Sequence, residues 1–296
     1  MSARIDKLLL VGVGLMGASA GLAARRRGLA RRVVGFSRKR KTLEEARRIG
    51  AIDSFETNLE KAAEGADFVL VSVPVASIAE RVIEVSRAEL KPGAVITDVG
   101  SVKGPILKAI EKDPVARKLF VGSHPIAGTE KSGPGAAFSK LYEGRRCVVT
   151  PTSKTDPRRA TRVKKFWKDL GMDVEVLSPV EHDRLLAVTS HAPHVIAYAL
   201  ALAAGSDKKR AKKLARYVGG GFKDTTRIAA SSPQMWREII EANAKAVDEA
   251  VLAFLQELLR MNRAITHGRW GELEKLFEQA ARFRRSLDPA KKGRGR

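Results

Sequence analysis

A glycine-rich turn between an apolar strand and an alanine-rich helix constrains this chain more than any other feature. Residues 7–28 read KLLLVGVGLMGASAGLAARRRG, and three glycines follow the strand in the spacing G-x-G-x-x-G. The first glycine of such a pattern permits the turn, the second lets the backbone approach a pyrophosphate, and the third brings helix and sheet together. Free N–H groups at the helix start then face the phosphates. The stretch predicts a dinucleotide site that includes Gly12, Gly14, Leu15, Met16 and Gly17.

The second strand indicates which dinucleotide is preferred. An NAD site usually carries Asp or Glu about 20 residues beyond the glycine turn, where it binds the ribose 2′-hydroxyl. After the strand RRVVGF, this chain has a serine and three cations at that point, namely Ser37, Arg38, Lys39 and Arg40. No carboxylate repels a 2′-phosphate there and three cations attract one, which favours NADP over NAD. The alternative interpretation is a basic helix start on the surface.

Further apolar runs extend the sheet. Strands are predicted within residues 66–75, 92–104 and 119–125, and RRCVVTPT and DVEVLSP complete a Rossmann-type doubly wound α/β sheet. Ligands of such sheets lie beyond the carboxyl ends of the strands. We therefore expect one crevice lined by Ser72, Pro74, Asp98, Ser101 and His124, with the cofactor also contacting Val73.

From residue 179 onward the sequence is almost wholly helical. The predicted organisation is a Rossmann domain over residues 1–178, an all-α substrate and dimerisation domain over 179–287 and a disordered basic tail over 288–296. Residues 237–268 are long enough for one extended helix. Apolar positions are too numerous for one exposed bundle face, which predicts burial against another subunit. The alternative is that these helices cover the sheet domain alone.

The formal net charge of +22 indicates which classes of binding partner suit the chain. Such a charge suits nucleic acid, an anionic membrane surface or acidic small substrates. Because no aromatic residues are interleaved with the cations, we interpret them as solvated helix faces that attract anions, which disfavours nucleic acid. Residues 8–24 carry no charge but contain the glycine turn and are short for a membrane span, so no membrane contact is predicted. The single cysteine, Cys147, fits a reducing cytoplasm.

The helical half contains four histidines in two kinds of sequence environment. His191 and His194 stand three apart in an apolar helix, so they lie near one face. No third ligand with helpful spacing follows, and the prediction is packed, hydrogen-bonded histidines and no metal site. His182 and His267 have polar neighbours and are predicted to lie on the surface.

Five motifs follow one another along the chain: GVGLMG, DVGSVKG, SHPIAGTEKSG, TSHAPHVIAYAL and GGGFKDTTRIAASSPQMW. Together they resemble the prephenate/arogenate dehydrogenase family of tyrosine biosynthesis, in its single-function form, over residues 8–258. The resemblance implies that the ring hydroxyl of prephenate is oxidised by hydride transfer to NAD(P), with loss of CO2 to give 4-hydroxyphenylpyruvate. It also implies that His124 is the base that accepts the hydroxyl proton, and that Ser101 bridges His124 to the nicotinamide.

The same resemblance assigns the substrate contacts. It implies that Arg227 binds a substrate carboxylate with a forked guanidinium, that His194 contacts substrate, and that Trp236 reaches into the partner subunit's site. The remaining implied residues are Gly220, whose backbone approaches the ligand, and a gating pair at the pocket mouth, Glu130 and Asp224, with Lys223 nearby. Family members of this kind are homodimers joined through the helical domain. Residues 37–40 depart from the pattern, because many members have an acidic residue there and use NAD.

Three alternatives remain open from the sequence. Arogenate differs from prephenate only in carrying an ammonium in place of a keto group, so the motifs do not separate the two substrates. A non-catalytic dinucleotide sensor that binds nucleic acid is a second possibility, although it has no need for a histidine, a serine and an arginine directed at one crevice. A relative acting on a hydroxy acid or an imino acid would normally use a lysine or another acid–base group in place of His124.

Overall fold

The computed structural model describes residues 4–129, 131–214 and 216–287, so Glu130 and the predicted basic tail lie outside the described residues. Within these ranges one eight-stranded sheet has the order β3-β2-β1-β4-β5-β6-β7-β8. The strands are β1 Ile5–Val11, β2 Ala30–Phe36, β3 Ser54–Glu56, β4 Phe68–Val71, β5 Val95–Asp98, β6 Phe120–Pro125, β7 Arg146–Thr150 and β8 Asp173–Val176. All neighbouring strands pair in parallel except β6 and β7. The predicted doubly wound sheet is confirmed.

Seven helices connect the strands and cover both faces of the sheet. They are α1 Leu15–Arg26, α2 Arg40–Arg48, α3 Leu59–Ala63, α4 Val75–Ser86, α5 Gly104–Ile110, α6 Pro114–Leu119 and α7 Pro157–Asp169. In β1, Leu8 and Leu10 point into one hydrophobic cluster, whereas Leu9 and Val11 point into the other. Successive side chains of a strand alternate between faces, so a strand buried on both sides is apolar throughout. The run LLLV is therefore a central strand between two helical layers.

The order of strands places a ligand crevice beside β1. The chain moves from β1 to β2 in one direction and crosses back to β4 on the other side of β1. Loops that leave β1 and β4 at their carboxyl ends therefore run in opposite directions and open a crevice between them. The carboxyl ends of β5 and β6 lie along the same edge of the sheet.

The C-terminal part of the chain is helical, as predicted. Its helices are α8 Pro179–Leu186, α9 Ala192–Gly205, α10 Lys208–Leu214, α11 Gly220–Thr226, α12 Pro233–Ala242, α13 Ala244–Thr266 and α14 Trp270–Ser286. The expectation of one extended helix over residues 237–268 is wrong. The helix breaks at Asn243, which has φ −124° and ψ 28°. The Asn243 side chain is used instead in buried hydrogen bonds to Asp183 and His191.

A wide helical turn joins α8 to α9. Residues Ala187–His191 are π-helical, and the N–H of Ala192 donates to the carbonyl of Ala187 five residues earlier. Pro193 follows directly, and a proline within a helix has no N–H to donate and collides with the carbonyl four residues before it. The wider turn relieves that collision, and such turns are frequent at functional sites. It inserts one extra residue ahead of His191 and His194 and so resets the direction in which they face.

The described residues divide into two compact units, the first ending at Val247 and the second beginning at Asp248. The first unit contains the sheet together with α8 to α12, because α8 packs against α5 and β7 while α12 packs against α4. The second unit contains α14 and most of α13. Ala264 and Leu276 are buried within it.

Candidate active site

The glycine turn between β1 and α1 has the geometry of a phosphate cradle. Gly12 has φ +93°, and a Cβ atom there would lie 2.5 Å from the carbonyl oxygen of Ser72. A Cβ atom at Gly17 would lie 2.1 Å from the carbonyl oxygen of Gly12, whereas one at Gly14 would meet nothing within 4 Å. The turn is thus packed at its first and third glycines and open at its second. The first turn of α1, which includes Leu15 and Met16, has no side-chain cap and no acidic residue, so its N–H groups can receive an anion.

The end of β4 supports this turn from the neighbouring strand. The Ser72 hydroxyl donates to the carbonyl of Gly12 over 2.6 Å. A Cβ atom at Gly12 would also lie 3.1 Å from Val73. Pro74 then stands at the N-cap of α4. The structure therefore places Ser72, Val73 and Pro74 beside the glycine turn.

Cations surround the end of β2. Ser37 is half-buried, and its hydroxyl accepts from the backbone N–H of Lys39 over 3.2 Å. Arg40 pairs with Glu44 over 2.9 Å and lies over the Phe55 ring. Arg38 and Lys39 are exposed and form no ion pair within the described residues. Two cations at this strand end are therefore available to an anionic ligand.

His124 lies at the carboxyl end of β6 and is only 7% exposed. Its Nδ1 atom is 2.8 Å from Nε2 of His182. Burial, followed by the charges of His182, Lys103 and His191, holds the pKa of His124 well below its ordinary value of 6.5. The imidazole is therefore neutral near pH 7, as a proton acceptor must be.

His182 is fully buried, so the prediction that it lies on the surface is wrong. Its Nδ1 atom is 2.7 Å from Oδ1 of Asp183. The Asp183 carboxylate also accepts from the backbone N–H groups of Lys103 over 2.8 Å and Gly104 over 2.7 Å, and so caps the start of α5 from another helix. Burying a carboxylate costs free energy unless such donors are present. Because Asp183 caps α5, the start of α8 is held next to α5, and His182 lies beside His124. By contrast, His267 is exposed, as predicted.

Asp98 corrects another expectation, because its side chain lies beneath the crevice and does not line it. Asp98 and Lys103 are both fully buried and form an ion pair. Asp98 also accepts from the N–H groups of Gly100 and Ser123, each over 2.9 Å, and the Lys103 ammonium donates to the carbonyl of Ser123 over 2.8 Å. The pair therefore ties the loop after β5 to the strand that carries His124. Half-buried Ser101 belongs to that loop.

The α9 side of the site holds two further histidines. His191 is fully buried, and its Nδ1 atom lies 3.1 Å from Nδ2 of Asn243, so the predicted packed, hydrogen-bonded histidine is found. Burial lowers its pKa to about 4. Half-buried His194 contacts the carbonyl of Ser190 through Nδ1 over 2.8 Å.

Trp236 packs within its own chain, and its predicted reach into the partner subunit's site stays a prediction. Its ring is 8% exposed and stacks on His194 with the centroids 3.3 Å apart. It also packs with Val102 and Ile239, because α12 lies against the sheet domain. The Trp236 indole N–H is buried without a hydrogen-bond partner in the described part of the chain. Such an unpaired donor is uncommon in native proteins.

Arg227 begins the short 3-10 helix Arg227–Ala230 and is exposed. It makes no ion pair within the described residues, and its charge contributes to the lowered pKa of His194 after burial, the largest cause. Arg227 is thus an unneutralised cation near the His194 ring.

The glycine-rich segment before Arg227 is open. A Cβ atom at Gly220 would meet only Asp224, 4.0 Å away. Lys223 and Asp224 are exposed on α11. Glu130, which forms the predicted gating pair with Asp224, lies outside the described residues, so the gate stays a prediction.

Residues that the sequence reasoning missed are His182 as a site residue, Asp183, Lys103 and Asn243. One signal was available for the first two: His182 and Asp183 stand four residues before Leu186 and Ala187, so they share the buried face of α8. Lys103 lies in the motif DVGSVKG only five residues after its ion-pair partner Asp98, whereas nothing in the local sequence marks Asn243, whose partners Asp183 and His191 lie in distant segments.

The described residues also bear on metal binding and on membrane insertion. They contain no group of three or more His, Cys, Asp or Glu side chains that can hold a metal ion. They contain one helical stretch, Pro179–Gly205, with the length and composition to cross a membrane. This stretch carries His182, Asp183 and His191, which are buried in hydrogen bonds within the chain.

Comparison with known families assigns the chain. Residues 20–176 match the nucleotide-binding domain of prephenate dehydrogenase, and residues 178–279 match its dimerization domain. The chain belongs to the prephenate dehydrogenase family. Within the family it is 32% identical to the cyclohexadienyl dehydrogenase of Zymomonas mobilis, with 95% of each chain covered.

Two solved structures of family members are also similar. A prephenate dehydrogenase from A. aeolicus, in complex with hydroxyphenyl propionate and NAD+, has a TM-score of 0.89 and 38% identity over 97% of this chain and 100% of that one. The Synechocystis arogenate dehydrogenase has a TM-score of 0.77 and 29% identity over 95% and 99% of the two chains.

Proposed function

We propose that this chain oxidises prephenate to 4-hydroxyphenylpyruvate and CO2, with hydride transfer to NAD(P), in tyrosine biosynthesis. The observation that carries the proposal is His124: a buried, neutral imidazole at the carboxyl end of β6, on the sheet edge that also holds the glycine turn. Together with membership of the prephenate dehydrogenase family, that position supports a base acting beside a bound dinucleotide.

The reaction asks little of the protein beyond positioning and one proton transfer. Prephenate carries a hydroxyl on the ring carbon opposite its ring carboxylate. When bound, the nicotinamide accepts the hydride from the carbinol carbon. His124 accepts the hydroxyl proton, the ring carboxylate leaves as CO2 while the electron pair of the broken C–C bond enters the ring, and His124 returns the proton to the phenolate oxygen of the aromatic product. Ser101, in the loop tied down by the Asp98–Lys103 pair, is proposed to hold the hydroxyl and the nicotinamide end of the cofactor in register with His124.

Substrate binding is proposed to depend on the α9 and α11 side of the site. The substrate is a dianion, and carboxylates that leave water need charged or N–H donors. Arg227 supports this role because it is a cation without an ion-pair partner in the described residues, close enough to His194 to affect its pKa. The stacked pair of His194 and Trp236 presents an indole N–H that lacks an acceptor. Gly220, Lys223, Asp224 and Glu130 remain predicted contacts of this region.

The cofactor is proposed to be NADP in preference to NAD. Gly14 leaves the backbone open where a pyrophosphate would lie, while Gly12 and Gly17 are closely packed, which suits either dinucleotide. NADP is favoured by the exposed, unpaired cations Arg38 and Lys39 and by the absence of a carboxylate from residues 37–40. The A. aeolicus relative was solved with NAD+, so NAD is the competing assignment.

A charge-removal experiment separates the two cofactors. Substitution of Arg38→Ala with Lys39→Ala should lower kcat/KM for NADP by about tenfold or more and leave that for NAD nearly unchanged, since a hydrogen bond to a charged group contributes about 1.5–3 kcal/mol. Arg47→Ala, in the last turn of α2 and so at the far end of the helix that Arg38 and Lys39 precede, is the control. A wild-type preference for NAD of tenfold or more contradicts the cofactor assignment.

The proposed assembly is a cytoplasmic homodimer joined through the helical domain, with the domain boundary near residue 178. The second compact unit exposes Leu252, Leu255 and Leu259, which share one face of α13. Exposed apolar faces of this kind mark interaction sites, and this segment falls within the match to a dimerization domain. Leu255→Glu should shift the mass measured by sedimentation from dimer toward monomer, whereas a wild-type monomer at micromolar concentration contradicts the proposal.

Steady-state rates with prephenate and arogenate, each with NAD and NADP, test the function directly. We expect His124→Asn to bind cofactor and to lose about 10²–10⁴-fold in kcat, the usual contribution of a positioned base. His267→Asn, at an exposed histidine, should retain wild-type turnover. Near-normal turnover of His124→Asn rules out the assigned base.

Arogenate is the second candidate substrate. The similarity to the Synechocystis arogenate dehydrogenase favours it, and the ring chemistry is identical. The same rate measurements distinguish the two, because the preferred substrate will show the higher kcat/KM.

A further inference from the structure

A continuous set of hydrogen bonds runs from Asp183 to His124. The Asp183 carboxylate faces three donors: the backbone N–H groups of Lys103 and Gly104, at 2.8 and 2.7 Å, and Nδ1 of His182 at 2.7 Å. Nε2 of His182 then lies 2.8 Å from Nδ1 of His124. His182 is fully buried, and Asp183 and His124 are 7% exposed. Solvent therefore has little access to any bond in this set.

The Asp183 carboxylate fixes which atom donates and which accepts in each of these hydrogen bonds. Backbone N–H groups only donate, so both carboxylate oxygens accept, and the proton of the third bond lies on Nδ1 of His182. A neutral His182 then has its lone pair on Nε2, which must accept from Nδ1–H of His124. The lone pair of a neutral His124 is consequently on Nε2, the ring nitrogen that binds no other described residue.

We infer that Asp183 and His182 are positioning residues that fix His124 in the tautomer whose free Nε2 can accept the substrate proton. The inference rests on the proposed function, in which His124 is the base. The opposite tautomer would carry a proton on Nε2 and could not act as a base. A histidine whose second nitrogen is held by a carboxylate-anchored partner keeps both its ring orientation and its proton placement.

The charges around the two rings favour the neutral state that this assignment requires. His182 is faced by Asp183 on its own helix, by Asp98 on β5 and by Lys103 at the start of α5. His124 is faced by His182, Lys103 and His191. Burial is the largest cause that lowers the pKa of His182, and the Asp183 contact only partly opposes it. A charged His182 would donate from Nε2 and reverse the tautomer of His124, so burial and the relay act together.

Asn243 holds the far end of this arrangement. Its side-chain amide donates to the backbone carbonyl of Asp183 over 2.8 Å and contacts Nδ1 of His191. The break between α12 and α13 thus provides an anchor for the turn of α8 that carries the relay. Asn243 supports the position of Asp183 without contacting His124.

Substitutions at His182 separate positioning from folding. Gln at position 182 can accept from Nδ1–H of His124 with its carbonyl and donate to Asp183 with its amide, whereas Leu can do neither. We expect kcat of His182→Gln to stay within about tenfold of wild type and that of His182→Leu to fall about 100-fold or more, with NADP affinity by calorimetry unchanged in both. A His182→Gln turnover less than threefold above that of His182→Leu overturns the inference.

Nitrogen-15 spectra of histidine-labelled protein give a readout that does not depend on turnover. The chain has five histidines, so His124→Asn assigns the signal by its loss. We expect a protonated Nδ1 and an unprotonated Nε2 for His124 at pH 7.5 in the wild type, and a mixture of both tautomers in Asp183→Ala, which removes the acceptor that keeps the proton on Nδ1 of His182. Wild-type protein with Nε2 of His124 protonated contradicts the inference. If neither substrate turns over in the wild type, the proposed function fails while the tautomer assignment still stands or falls on the spectra.

Discussion

Removal of the buried lysine beneath the site should reveal how strongly the tertiary structure depends on one ion pair. Lys103→Met leaves Asp98 fully buried with two backbone donors, Gly100 and Ser123, and without its counter-ion. Breaking a buried pair by removing one partner costs about 3–5 kcal/mol, because the remaining charge stays out of water. The two surviving donors place the expected loss near the lower end, about 3 kcal/mol.

Urea unfolding followed by circular dichroism measures this loss. With a slope of about 2–3 kcal/mol per molar, typical of the upper range for single domains, the midpoint should fall by roughly 1 M. All variants must be compared at one protein concentration, since assembly makes the midpoint depend on concentration. Lys165→Met is the matched control, because the Lys165 ammonium is 2.8 Å from Asp169 but lies on the surface, where a pair contributes about 1 kcal/mol or less.

A double-mutant cycle tests the cause. In Lys103→Met combined with Asp98→Asn neither charge remains, so the double variant should be about 1–3 kcal/mol more stable than the sum of the single losses predicts. The reasoning fails if Lys103→Met costs less than about 1 kcal/mol, or if the two losses simply add.

Three other outcomes follow from particular contacts. Gly14→Ala should fold normally but bind NADP at least tenfold more weakly in calorimetry. Gly17→Ala should also lose stability, because its Cβ would lie 2.1 Å from a carbonyl oxygen. Equal stability of the two variants would contradict this packing. Because burial holds the pKa of His191 at about 4 in the fold but not in the unfolded chain, the unfolded state binds the extra proton below about pH 6.5. The free energy of unfolding should therefore fall by at least about 2 kcal/mol from pH 7 to pH 5, and a flat urea midpoint over that range would refute this. Cys147 is fully buried, and burial raises the pKa of its thiol, so Ellman's reagent should react with it only at the rate of unfolding; prompt reaction in the native state would exclude that environment.

The Asp183 relay and the Asp98–Lys103 pair have one physical theme. Each places a carboxylate where backbone N–H groups hold it, and each then uses that fixed charge to orient a group at the end of β6. A rigid, water-poor arrangement keeps the base oriented between turnovers, so its geometry need not be rebuilt for each substrate.

The dinucleotide fold and the position of the candidate base are encoded in short local stretches of sequence. The turn at Gly12 needs a positive φ and Gly17 needs the absence of a Cβ, and both demands arise within residues 7–28. The alternation along β1 follows from strand geometry, so the wholly apolar run LLLV is typical of a strand covered by helices on both faces. The position of His124 at a strand end was predictable for the same reason.

Only the tertiary structure decided which charged and polar groups lie inside. His182 resembled a surface residue because its neighbours in sequence are polar, yet its bonding partner His124 is 58 positions away, and Asp183 caps an N–H 80 positions away. Asn243 likewise has its partners 60 and 52 positions away, and Lys103 pairs with the nearby Asp98 but also donates to Ser123, 20 positions away. A polar group can be buried only where distant segments supply its hydrogen bonds, and a local pattern contains no record of those segments. The residues that hold the base in place were therefore decided by packing, whereas the base itself could be found from the sequence.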